Sequence, residues 1–203
     1  MAGGRVTPLL DHFGWLAPHY ERVIRVNGVE QLAELAGLPI AGRLLDAGGG
    51  TGRIAQHLRA RVGELVIADP SAGMLRQARA KPGLAPVCSG AEALPFPDGC
   101  FERIVMVDAL HHVADQRGTA EELWRVLRPG GRLVIEEPDV RRWQVKLIAL
   151  GEKAALMRSR FLAPPAIAAL FARPGAEVRA VAEGAQAWVV VDKEGDNTCT
   201  LTT

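Results

Sequence analysis

Ten consecutive residues, Leu44-Leu45-Asp46-Ala47-Gly48-Gly49-Gly50-Thr51-Gly52-Arg53, restrict the folds open to this 203-residue chain more than any other stretch. An apolar pair leads into them. Ile54, Leu58 and Val62, spaced by four, follow as one face of a helix. Strand, glycine loop and helix in that order are the setting in which such a loop holds a ligand. Glycine reaches positive φ and lets the backbone come close to a bound molecule. The helix start behind it offers N–H groups to a carboxylate or phosphate.

The alternation continues downstream. Leu65-Val66-Ile67-Ala68, Ile104-Val105-Met106-Val107 and Leu133-Val134-Ile135 are unbroken apolar runs, as expected of strands buried on both faces. Helical patterns lie between them. Met74, Leu75 and Ala78 follow Ser71, a good N-cap, and Thr119 with Glu122 reads as a capping box before Leu123, Trp124 and Leu127. Arg128-Pro129-Gly130-Gly131 ends that helix. The rhythm predicts an α/β sheet with right-handed crossovers. Val140–Phe161 reads as a long helix and Ala166–Ala172 as a shorter one, and Ala176–Ala182 with Ala185–Asp192 flank Glu183-Gly184 as an antiparallel hairpin. The expected organisation is one domain over 1–194, with a lid at 1–40, a core at 43–137, substrate-side helices at 140–173 and the hairpin at 176–192. Residues 195–203 read as a disordered tail.

Composition excludes several classes. Lys+Arg 24 against Asp+Glu 23 leaves +1, so no nucleic-acid partner is implied. No apolar run approaches the ~18 residues of a membrane span, and Met1-Ala2-Gly3-Gly4-Arg5 lacks the apolar stretch of a secretion signal. Cys88, Cys100 and Cys199 sit at no metal-ligand spacing, so no metal site is expected. A soluble cytoplasmic protein is the expectation.

Spacing selects among ligands for the loop. A dinucleotide fingerprint needs glycine where Arg53 stands, and a phosphate-binding loop of the Walker type needs a lysine that is absent here. Asp46, two places before Gly48, suits a ligand with a cationic amino group and repels a pyrophosphate. Asp69, ending the next apolar run, is placed to accept both hydroxyls of a ribose. S-adenosylmethionine, a nucleoside with a cationic tail, meets all of these demands.

Five ordered segments carry a resemblance: Leu44–Arg53, Val66–Leu75, Ala91–Phe101, Leu110–Val113 and Glu122–Val134. Together they resemble class I S-adenosylmethionine-dependent methyltransferases of the type-11 branch, which includes ubiquinone/menaquinone C-methyltransferases. Phe13–Glu21 resembles that family's N-terminal lid. The resemblance implies a Rossmann-like three-layer sandwich, its seven-stranded sheet mostly parallel and completed by an antiparallel C-terminal hairpin strand. It implies that Gly48 and Gly50 line the methionine portion with Asp46 near the amino group, while Asp69 holds the ribose and Pro70 and Met74 pack on the adenine. Ala91 and Glu92 would meet the adenine edge, Met106 and Val107 the methionine tail, and Tyr20 would close the lid. Gly90 stands where the family usually has aspartate. Loss of that charged hydrogen bond predicts weaker cofactor binding, by ~1.5–3 kcal/mol at most.

His111-His112 is the remaining polar pair. The expectation for His111 is a strand-end residue bonded to backbone, and for His112 a general base on the acceptor. Cys88 and Trp124 read as core. The basic face of Val140–Phe161 reads as a solvated helix surface, with a lid over an anionic or membrane-dissolved acceptor as the alternative. The expected function is methyl transfer to a small-molecule acceptor, apolar or quinone-like, leaving S-adenosylhomocysteine. Two rivals stay open: a non-catalytic nucleoside-binding module, favoured by Gly90, and an NAD-dependent oxidoreductase, disfavoured by Asp46 and Arg53.

Overall fold

The computed structural model describes residues 28–142 and 159–195. Tyr20, the lid segment Phe13–Glu21, most of Val140–Phe161 and nearly all of the tail lie outside the described residues. Seven strands form one sheet: β1 (Arg43–Ala47), β2 (Glu64–Asp69), β3 (Leu84–Cys88), β4 (Phe101–Val107), β5 (Leu127–Pro138), β6 (Ala176–Glu183) and β7 (Gln186–Lys193). Their order is β3-β2-β1-β4-β5-β7-β6. β1 to β5 pair in parallel, and β7 runs antiparallel to both β5 and β6. The sheet and its closing hairpin follow the pattern of apolar runs.

Both faces of the sheet are buried. Leu45, Ala47, Val66, Ala68, Ile104, Met106, Leu133 and Ile135 point into one core layer. Leu44, Leu65, Ile67, Val105 and Val134, the alternate residues, point into the other. This period of two explains why the runs lack polar interruptions. The first layer is completed by α4 (Gln116–Val126) and α5 (Pro164–Leu170), through Leu123 and Ile167. The second is completed by α1 (Val29–Leu35), α2 (Ala55–Leu58) and α3 (Ala72–Arg79), through Leu32, Leu58 and Leu75.

Four sequence expectations are corrected. The Ile54–Val62 helix is only α2 with a 3-10 turn at Arg59–Arg61; Val62 is extended, the Gly63 N–H bonds the Gly42 carbonyl at 3.1 Å, and β2 begins at Glu64. The cap of α4 is Asp115, which accepts the Gly118 N–H at 2.9 Å. Thr119 is buried inside the helix, and Glu122 accepts the Leu94 N–H at 2.9 Å and pairs with Arg125. An aspartate three residues before an N–H is the stronger cap, so the capping box is displaced. Helix α4 gives way to β5 at Leu127, before the Pro-Gly-Gly sequence, because Leu127 already pairs with Phe101 and the glycines sit in the register shift that follows. Cys88 is exposed, since β3 is an edge strand.

Ser71 caps α3 as expected, its Oγ accepting the Met74 N–H at 3.3 Å. Trp124 is half-buried, with the cations of Arg173 and Lys193 over its ring at 5.3 and 4.7 Å.

Candidate functional site

The sheet order reverses between β1 and β4, and in such sheets the crevice beyond the strands' carboxyl ends is where ligands bind. Here those ends deliver Asp46 to Gly50 from β1, Asp69 from β2, Asp108 after β4 and Glu136-Glu137 from β5.

The glycines divide the work. Gly48 (φ 74°) donates its N–H to the Ala68 carbonyl at 2.7 Å, and a Cβ there would lie 2.6 Å from the Ala109 Cβ. Gly52 (φ 73°) packs so tightly that a Cβ would lie 2.7 Å from Leu84 Cδ1 and 3.0 Å from Ile67 Cδ1. The close helix–strand packing that a dinucleotide loop assigns to its third glycine is therefore done by Gly52, one place before Arg53. Gly50 (φ 54°) differs: a Cβ would meet only Asp69 Oδ2 at 3.8 Å and Met74 Sδ at 3.9 Å. Both are ordinary van der Waals separations, so a side chain there meets no clash among the described residues.

Asp69 is held from two sides. Its Oδ2 accepts the Gly50 N–H at 3.0 Å and its Oδ1 the Ser71 N–H at 2.8 Å. Asp46 is buried, with Oδ2 lacking a hydrogen-bond partner among the described residues. Burial first, and then the charge of Asp69, push its pKa up to about 7 against the opposing pull of Arg53. Arg53, itself buried, stands 3.6 Å from Asp108 Oδ2. Asp108 is the one described non-glycine residue with positive φ (51°), and its N–H reaches the Glu136 carbonyl at 3.0 Å.

The other expected cofactor contacts surround this crevice. Met74 is buried below Gly50, while Pro70 is exposed beside Asp69. Ser89 donates its N–H to the Asp69 carbonyl at 3.1 Å, which brings Gly90, Ala91 and Glu92 alongside β2. Ala91 is buried; Glu92 accepts the Ala114 N–H at 3.1 Å, and its Oε2 lies 2.8 Å from where a Cβ on Gly90 would stand. Met106 is fully buried, its Cε 4.0 Å from the position of a Gly48 Cβ, and Val107 is half-buried.

The histidines depart from expectation. His111 lies in a 3-10 turn, Leu110–His112, and its Nδ1 is bonded to the Glu137 carboxylate at 2.5 Å where a backbone partner was expected. His112 Nδ1 lies 3.3 Å from Ser159 Oγ. Burial and then the neighbouring His111 lower its pKa to about 4, so the imidazole is uncharged at neutral pH.

Sequence reasoning missed Arg53 as a buried partner, and it missed Asp108, Glu136 and Glu137. The available signal was a pair of adjacent carboxylates closing a buried apolar strand, a placement that burial alone does not favour. Burial raises the Glu136 pKa to about 7 despite bonds from Trp188 Nε1 (2.9 Å) and Gln186 Nε2 (3.1 Å). A surface hollow of about 570 Å³, bordered by Arg59 and Lys81, is lined by none of the crevice residues.

Tested against these residues, S-adenosylmethionine fits: a buried carboxylate oxygen without a hydrogen-bond partner among the described residues suits its cationic tail, and Asp69, anchored to Gly50, suits its ribose. The seven-stranded sheet and its strand order match a Rossmann-like methyltransferase fold. The family model described as "Methyltransferase domain" matches residues 45–135. The ubiquinone/menaquinone biosynthesis C-methyltransferase UbiE of Pectobacterium carotovorum is 37% identical over 114 residues, 51% of this chain and 45% of that protein. The chain thus spans less than half the length of the curated relatives it matches. An S-adenosylmethionine-dependent methyltransferase structure from Thermotoga maritima shares 25% identity with a TM-score of 0.74, covering 90% of this chain and 98% of that one. The YcgJ protein of Bacillus subtilis shares the fold at 22% identity, with a TM-score of 0.68 over 76% and 70% of the two chains.

Proposed function

We propose that the chain moves a methyl group from S-adenosylmethionine to a small-molecule acceptor, apolar or quinone-like. The observation that carries this is the pair of carboxylates at the glycine loop: buried Asp46, whose Oδ2 has no hydrogen-bond partner among the described residues, and Asp69, which accepts the Gly50 N–H at 3.0 Å. When bound, S-adenosylmethionine supplies a methyl group made electrophilic by its sulfonium, so the protein's contribution is mainly placement.

Asp46 provides the negative charge for the amino group, and Asp69 accepts the ribose hydroxyls while staying anchored to Gly50 and Ser71. Pro70, Met74 and the Gly90–Glu92 segment border the adenine, and Gly48, Met106 and Val107 the methionine portion. His112, uncharged at neutral pH, takes a proton from the acceptor. The absence of an acidic side chain at Gly90 supports weaker adenine recognition and keeps a non-catalytic nucleoside-binding module as the second reading. The quinone-like acceptor draws support from the name of the relatives matched. A single domain over 1–194 completes the proposal, together with a cytoplasmic location. Among the described residues no helix is long and apolar enough to cross a membrane.

The test is incubation with trideuteromethyl-labelled S-adenosylmethionine and a panel containing 1,4-naphthohydroquinone, catechol and small amines, read by mass spectrometry. A labelled methylated product supports the enzyme reading. Cofactor binding with no product from any acceptor supports the module.

A further inference from the structure

The Glu137 carboxylate does two jobs at once. Oε1 accepts the Leu110 N–H at 2.7 Å and Oε2 pairs with His111 Nδ1 at 2.5 Å. Both oxygens are committed, and the residue is 3% exposed, so neither is shared with solvent. A buried carboxylate held this way is costly to build and strongly orienting once built.

His111 passes that orientation on. Its ring stacks on Phe161 at 4.2 Å with the planes 14° apart, and lies 3.9 Å from the His112 ring. Its carbonyl accepts the Arg160 N–H at 2.7 Å. Gln116 Nε2 closes the arrangement, donating to both the Leu110 carbonyl (3.1 Å) and the Arg160 carbonyl (2.6 Å). The turn after β4 and the segment at 159–161 are thereby one unit, clamped to the end of β5. The same turn follows Ala109, which packs against Gly48 in the cofactor loop.

We infer that Glu137 is a positioning residue: by clamping the Leu110–His112 turn it fixes His112 and Phe161 relative to the glycine crevice, and so sets the acceptor's side of the site. This rests on the methyl-transfer reading. Glu137 touches neither cofactor nor acceptor and acts through His111. In Glu137→Gln the side chain offers one acceptor and one donor, so it cannot satisfy two N–H groups. His111 Nδ1 must then become an acceptor, and its proton moves to Nε2.

The test is amide hydrogen exchange and imidazole ¹⁵N spectroscopy on the full chain. In Glu137→Gln the Arg160 amide should exchange about tenfold faster or more, as expected for losing a charge-assisted bond, with the Gly50 amide unchanged. The His111 ring should show the switched tautomer. Unchanged Arg160 protection, or equal loosening of Gly50 and Arg160, overturns the proposal. Should Glu137→Gln not fold, Phe161→Leu replaces it: removal of the stacked ring should loosen Arg160 and shift the His112 ring signals, and no change in either overturns the proposal. Calorimetry of the wild type with S-adenosylhomocysteine runs in parallel. Its failure overturns the methyl-transfer reading whatever Arg160 does, whereas binding with an unloosened Arg160 overturns the clamp alone.

Discussion

Gly50 donates its backbone N–H to the Asp69 carboxylate at 3.0 Å, joining the loop after β1 to the end of β2 across the crevice. The bond fixes one carboxylate oxygen, which a Cβ on Gly50 would still clear at 3.8 Å. Asp69→Ala should therefore weaken S-adenosylhomocysteine binding by a hundredfold or more, roughly the 1.5–3 kcal/mol of a charged hydrogen bond with the second hydroxyl lost as well. Asp69→Asn, keeping one acceptor oxygen, should lose less. Titration calorimetry on the two variants checks the order.

Two glycines two places apart should fail in opposite ways. Gly52→Ala puts a methyl 2.7 Å from Leu84 Cδ1 and should lower stability by roughly 2–3 kcal/mol through overpacking and positive φ. Gly50→Ala meets no atom closer than 3.8 Å, so it should lose only the ~1 kcal/mol of its φ while sharply weakening cofactor binding. Urea denaturation beside calorimetry separates the two.

Asp46 makes both stability and binding depend on pH. Its folded pKa, about 7, lies above the ordinary aspartate value of 3.8, so the folded state holds the proton that the unfolded state has released. Stability therefore falls as pH rises from about 4 to about 7, by on the order of 3–4 kcal/mol for this group. Glu136, also raised to about 7, adds a fall in the same window. Asp46→Asn should flatten the slope and gain stability at pH 8. A cationic ligand beside Asp46 favours the ionised form, so binding should tighten about tenfold between pH 6 and 8 in the wild type. In Asp46→Asn that dependence should vanish, whereas Glu136→Gln should keep it. Calorimetry across that range in two buffers of different ionisation enthalpy reports the released proton.

His112, with its pKa lowered to about 4, is uncharged throughout the physiological range. If it takes the acceptor's proton, its ionisation should leave no inflection in turnover between pH 5.5 and 8, and His112→Ala should slow turnover by the ~10²-fold typical of a lost general base. A bell-shaped profile with an acid limb near 6.5 contradicts the lowered pKa. Unchanged turnover in His112→Ala removes this residue from the mechanism.

The sheet was legible because parallel strands buried on both faces must be written as unbroken apolar runs, as at Ile104–Val107. The glycine loop was legible because glycines at positive φ tolerate no substitute of comparable cost. Local ends were less so: Thr119 and Glu122 match a capping box, but Asp115 is the stronger cap, and Glu122 is taken up by the Leu94 N–H, a partner distant in sequence. The role of Glu137 was illegible for a related reason. Its partners, Leu110 and His111, come from the neighbouring strand's exit, and pairing of β4 with β5 has to be known before the carboxylate can be placed. Cys88 was misplaced because an apolar context does not say which strand lies at an edge.

The central claim is that one sulfonium nucleoside occupies the crevice between Asp46 and Asp69. Titration of the wild-type chain with S-adenosylmethionine and, separately, with NAD tests it most directly. One S-adenosylmethionine site per chain, lost in Asp69→Ala, is the result predicted. No heat with S-adenosylmethionine, or saturable binding of NAD in its place, would contradict the account.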